Sequence, residues 1–175
     1  GFKNAQIRNR MRKLAEQVEE YNKITLVIEA QAGKQKAGAP RLNEIEAELT
    51  ALAAIPDYTP SVSDAAKLET FLDPSKLKAK KGHEGVALNI RRQAARLLAR
   101  RGQDLSAYSA DKDLESRFWA AAALVNNGQI PNNKEEAKKT ALQMLEERPL
   151  DKESKTAAIK VLSLVDYDVR VGWGV

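Results

Sequence analysis

Ile7, Met11, Leu14, Val18, Tyr21, Thr25 and Ile28 fall at alternating spacings of four and three residues. That rhythm places all seven on one stripe of an α-helix and demands a second helix to cover them. The positions between them read "RNR", "RK", "EQ" and "EE", a solvated flank. The stretch "AGKQKAGAP" then interrupts the pattern with two glycines and a proline, a turn composition. Beyond it the spacing resumes at Leu42, Ile45, Leu49 and Leu52. Two such helices joined by a short turn predict an antiparallel coiled-coil hairpin over residues 1–55. The second arm is the shorter and covers the first near its C-terminal end. The stripe Ile7–Met11–Leu14–Val18 therefore needs another partner, either the rest of the chain or a second copy, and residues 7–52 are the expected site of homo-oligomerisation.

"IPDYTPSVSD" carries two prolines within five residues, which forbids a continuous helix, and residues 56–75 read as a linker with one short helix capped by Ser63. Further helices follow, each with its own punctuation. Ser109 is the expected cap of the helix containing Leu114, Phe118, Ala121, Ala122 and Val125, which Gly128 and Pro131 end. Asn133, three residues before Glu136, caps the next, with Ala137, Ala141, Met144 and Leu145 as its apolar side. Asp151 caps the last, and "DYDVRVGWGV" reads as an extended tail whose Trp173 docks on the core. Aromatics make up only 5% of residues and alanine supplies much of the apolar content, which suits closely packed helices rather than sheets. The expected fold class is all-α, a coiled-coil hairpin followed by a small multi-helix bundle over 76–175.

Charge is the second constraint. Residues 76–101 hold nine Lys or Arg and one acid, Glu84, a net +8 in a chain whose total is +5, so the remainder sums to −3. Val86 to Arg101 predicts a helix stopped by Gly102. At 100° per residue, with Arg92 at 0°, Arg96 lies at about 40°, Asn89 at about 60° and Arg100 at about 80°. Val86, Leu97, Ile90, Ala94, Ala87 and Leu98 fall between about 120° and 240°. Arg92, Arg96 and Arg100 stand about 6 Å apart along the axis, with no acid at i±3 or i±4 within the helix to offset their repulsion. Guanidiniums in such a row can grip phosphates bidentately without reading sequence, and the lysines before the helix can follow the same backbone. Lys76, Lys78, Lys80, Lys81, Asn89, Arg91, Arg92, Arg96, Arg100 and Arg101 are thus the expected nucleic-acid-binding residues. Glu135, Glu136, Glu146 and Glu147 are the acids that could instead neutralise these arginines within the chain. "GFKNAQIRNRMRK" forms a second, smaller basic cluster that could touch the same polymer.

The remaining chemistry is sparse. Zero cysteines exclude disulfides, zinc fingers and thiol nucleophiles, and fit a reducing cytoplasm or the interior of a viral particle. The single histidine, His83, sits in a Lys/Gly loop where neither a catalytic triad nor a metal site can be assembled around it. Asp111, Asp113 and Glu115 resemble a metal cluster, but acids in a first helical turn simply complement the dipole. No apolar run long enough to cross a membrane occurs, and the N-terminus has no apolar signal core. It also lacks Met, so a processed product or a piece of a longer chain is expected. The expectation is a non-enzymatic protein that binds DNA or RNA without sequence preference and self-associates, with no cofactor, membrane or small-molecule substrate. In architecture it resembles phage and plasmid proteins that handle nucleic acids, including small packaging subunits. The alternative is a helical adaptor or assembly subunit whose basic face meets an acidic protein.

Overall fold

The computed structural model describes residues 3–16, 39–73 and 81–174, and the backbone alone for residues 39–41 and 167–174. Every regular element among the described residues is helical. The helices are α1 (residues 3–16), α2 (Ala39–Ala53), α3 (Val62–Glu69), α4 (Glu84–Arg100), α5 (Leu114–Asn126), α6 (Lys134–Glu147) and α7 (Lys152–Gly174), with a 3-10 turn at Ser106–Tyr108. The chain divides into two compact units, Gly1–Leu97 and Leu98–Val175, and the division falls inside α4.

In the first unit the heptad pattern becomes core. Ile7 is 4% exposed, and Met11, Leu14, Ile45, Leu49 and Leu52 are completely buried. Arg10 meets Glu48 at 3.8 Å, so α2 lies beside the N-terminal part of the first arm, where a short second arm was not expected to reach. The described part of the stripe is consequently covered within one chain. Val18, Tyr21, Thr25, Ile28 and most of the turn lie outside the described residues. The helix α2 begins earlier than its apolar pattern, at Ala39, with Pro40 in the first turn, where a missing N–H costs no hydrogen bond.

The stretch after α2 also packs inward, since Tyr58, Ala65, Leu68, Phe71 and Leu72 are buried. Ser61, not Ser63, caps α3: it is extended (φ −70°, ψ 171°) and accepts the Asp64 N–H at 3.1 Å. Ser63 is already inside the helix, and the Ala65 N–H two residues on is taken by the Ser61 carbonyl at 2.8 Å.

The second unit is built from the end of α4 and from α5, α6 and α7, which pack pairwise against one another. Phe118 and Trp119 meet edge to face at 4.8 Å between centroids in its core, alongside Ala122, Val125, Ala141, Met144, Ala158 and Val161. Leu145, expected in this core, is 36% exposed. Asn133 and Asp151 cap α6 and α7 as their spacing predicts, accepting from Glu136 N and Ser154 N. Asp113 caps α5 in place of Ser109, because Asp113 has the required extended backbone whereas Ser109 is helical and closes the 3-10 turn. The tail departs most from expectation: α7 continues to Gly174. Lengthening an established helix gains one hydrogen bond per residue fixed, which outweighs the weak preference of Val169 and Val171 for strands. The side chain of Trp173 lies outside the described residues.

Gly102 ends α4 in a Schellman motif: its N–H donates to Ala99 O at 3.0 Å, and the Gln103 N–H donates to Leu98 O at 3.1 Å. Its φ is +72°, and a Cβ there would stand 3.2 Å from Asn127 Cβ. Asn126 completes this junction by donating from Nδ2 to the same Ala99 carbonyl at 2.8 Å. Gly102→Ala is therefore expected to cost about 1–2 kcal/mol in urea denaturation, through left-handed strain and crowding together. A loss below about 0.3 kcal/mol would show that the junction yields freely.

Candidate nucleic-acid interface

The helix expected to carry a row of guanidiniums on one open face is covered on more than one side. Buried positions run from Ile90 and Leu97 through Ala94, Leu98, Ala95 and Ala99, which on the wheel spans about 140° to 340°. From Val86 to Arg100 every residue is buried or half-buried. Ala95 and Ala99, on the side left to solvent by the apolar pattern, are 4% and 1% exposed. Alanine is what allows this, since a methyl group lets another backbone approach closely on a second side of the same helix.

The expected binding residues are distributed accordingly. Lys76, Lys78 and Lys80 lie outside the described residues. Lys81 is exposed in the turn before α4, where Gly82 takes a φ of +95° and donates its N–H to Glu84 Oε2 at 2.8 Å. Hydrogen bonds from the backbone of Glu84 itself and of Gly82 hold the Glu84 carboxyl below its ordinary range. Asn89 donates from Nδ2 to Glu46 Oε2 at 2.9 Å and accepts from Gln93 at 3.4 Å. Arg91, Arg92 and Arg96 are half-buried, and each takes part in polar or electrostatic contacts. Arg101 is exposed at the end of the helix.

Arg100 departs from expectation most clearly. Its guanidinium binds Glu153 of α7 through two contacts, Nε to Oε2 at 2.5 Å and Nη2 to Oε1 at 3.0 Å. Its side chain is only 10% exposed, that of Glu153 32%. This is a bidentate pair at the edge of the core. The carboxylates meeting α4 at Asn89 and Arg100, Glu46 and Glu153, are not among the four acids named from sequence. They lie 43 and 53 residues away along the chain, and no local spacing signals them.

The other charged clusters resolve into local structure. In the second basic cluster Arg8, Arg10 and Arg12 are exposed along α1, with Arg10 turned to Glu48. Asp113 caps α5, Asp111 accepts the Asp113 N–H at 2.8 Å, and Glu115 pairs with Arg148. Among the described residues no group of three or more His, Cys, Asp or Glu could hold a metal ion. None of the described helices is long and apolar enough to cross a membrane. No family model, curated protein or solved structure matches the chain.

Proposed function

We propose that the chain is a non-enzymatic module that binds nucleic acid through phosphate charge, using the basic segment 76–101. One observation carries this reading: a net +8 concentrated in 26 residues of a chain that is otherwise −3. Lys81 and Arg101, exposed at the two ends of α4, are the described contact points, and Lys76, Lys78 and Lys80 precede the first of them in sequence. Arg100 is not part of the site, because its guanidinium is already committed to Glu153. Arg92 and Arg96 add to the local potential rather than serving as open grips. Helices α1 and α2 fit the two arms of the proposed antiparallel hairpin, and Arg10–Glu48 supports that pairing. Self-association through residues 7–52 drops out of the proposal, because the described apolar residues of that stripe are buried within the chain.

Fluorescence anisotropy of mixed-sequence DNA and RNA at two salt concentrations tests the reading. Affinity should fall linearly with salt on log–log axes, by about 0.9 per phosphate contact on duplex. The double variant Lys81→Glu/Arg101→Glu should weaken binding about tenfold or more without changing helicity. Binding that ignores both salt and these substitutions rejects a phosphate-contact site. The adaptor reading is favoured by a different observation, the half-burial of the arginines between Arg91 and Arg100. It gains if no nucleic acid binds at low salt while an acidic polypeptide such as polyglutamate does.

A further inference from the structure

A cavity of about 560 Å³ opens in the second unit, between α5 and α6 and beneath the turn that precedes α5. That volume lies within the range of about 300–1,000 Å³ typical of small-molecule sites. Its floor is apolar, formed by Ala121 and Leu124 of α5 and Ala137 of α6. Residues 127–133 make a short connection, so α5 and α6 run antiparallel, and Arg117 of α5 and Thr140 of α6 both line the groove.

Several of the polar groups that line the cavity suit an anion. Arg117 donates from Nη1 to two backbone carbonyls, Asp111 O at 2.7 Å and Lys112 O at 3.0 Å. The carbonyls fix the guanidinium in place but leave its charge uncancelled. Among the described residues neither Arg117 nor Lys112, which also lines the cavity, makes an ion pair. Thr140 is 5% exposed and lines the same space, and its hydroxyl makes no hydrogen bond among the described residues. Its hydroxyl oxygen is not sealed off from solvent, so the site offers a donor as well as a held cation. Two carboxylates also border the cavity. That of Asp111 accepts the Asp113 N–H at 2.8 Å. Glu136 is exposed and sits one helical turn from Thr140, about 6 Å further along the groove.

We propose that this cavity binds a small organic acid, with its carboxylate on Arg117, Lys112 and Thr140 and a short apolar body along Ala121, Leu124 and Ala137. The site is independent of the basic segment and of the nucleic-acid reading. It departs from the sequence-based expectation of no small-molecule ligand, which rested on the absence of a motif. A groove floored by alanines has no motif.

Sodium hexanoate is a suitable probe, titrated into the ¹⁵N-labelled full chain while amide resonances are followed, with hexanamide and hexylammonium chloride as neutral and cationic controls. Hexanoate should produce saturable shifts at Lys112, Arg117, Ala137 and Thr140, and hexanamide should bind at least tenfold more weakly. Ala137→Leu, which fills the groove without touching a charge, should abolish the shifts while the spectrum stays dispersed. Arg117→Lys keeps the charge and loses the fork, and should weaken binding about tenfold. Thr140→Val should weaken it several-fold, and Lys81→Glu/Arg101→Glu should leave it unchanged. Equal shifts from either control, shifts spread over surface lysines, survival of binding in Ala137→Leu, or no saturation with hexanoate would each overturn the assignment.

Discussion

Replacing Met11 by alanine is expected to destabilise the protein by about 3 kcal/mol, with a denaturation midpoint independent of protein concentration. The size follows from burial: Met11 is completely enclosed, and truncating a Met in a packed core typically costs about 2–5 kcal/mol in lost transfer energy and residual cavity. Concentration independence follows from where that enclosure comes from. Ile7, Met11 and Leu14 are 4%, 0% and 0% exposed in a single chain, so a second copy finds no apolar seam there to cover. Urea denaturation followed by circular dichroism over a hundredfold range of concentration checks both halves. A midpoint that climbs with concentration would show that a partner chain supplies part of the packing. A loss below 1 kcal/mol would show that α1 is not seated in the first unit.

The contrast between α1 and α4 shows which structural information the sequence carries. In α1 and α2 the heptad spacing names the buried residues correctly, because a side chain at i, i+3, i+4 or i+7 shares a face whatever covers it. The caps Asn133 and Asp151 and the stop at Gly102 were legible for a similar reason: each depends on chemistry within three or four residues. Where two candidates stood close together, composition alone could not choose. Ser61 and Ser63 have the same hydroxyl, and the extended backbone following Pro60 selects the first. Ser109 and Asp113 differ in the same way, by backbone conformation.

The basic helix was only partly legible, for another reason. A helical wheel gives the angle of each side chain but not how many neighbours surround the helix. Six apolar residues on one side of α4 implied one covered face. Ala95 and Ala99, small enough to pass for neutral surface positions, are the residues through which a second side is covered. The same ambiguity hides the groove floored by Ala121 and Ala137, where small side chains leave space rather than fill it. In an alanine-rich chain, burial and vacancy look alike in sequence.

Arg100 and Glu153 provide the sharpest test of this account, because the two partners are unequally exposed. Glu153→Gln leaves a guanidinium that is only 10% exposed facing a neutral amide, and should cost about 3 kcal/mol. Arg100→Met removes the more buried charge, replaces it with an apolar chain of similar reach, and leaves a carboxylate 32% exposed that water can still solvate. Its cost should be about 1 kcal/mol, so the order of the two variants is itself a prediction. The double variant Arg100→Met/Glu153→Leu should recover most of the wild-type stability, since a well-packed apolar pair can match a buried ion pair once neither charge is stranded. Urea denaturation of the four proteins measures all three differences. Nucleic-acid affinity should stay within about twofold in Arg100→Met, because a guanidinium already held by Glu153 has little to offer a phosphate. If Arg100→Met costs more than Glu153→Gln, or if it removes the salt-dependent binding, Arg100 works at the surface and the interior reading of α4 fails.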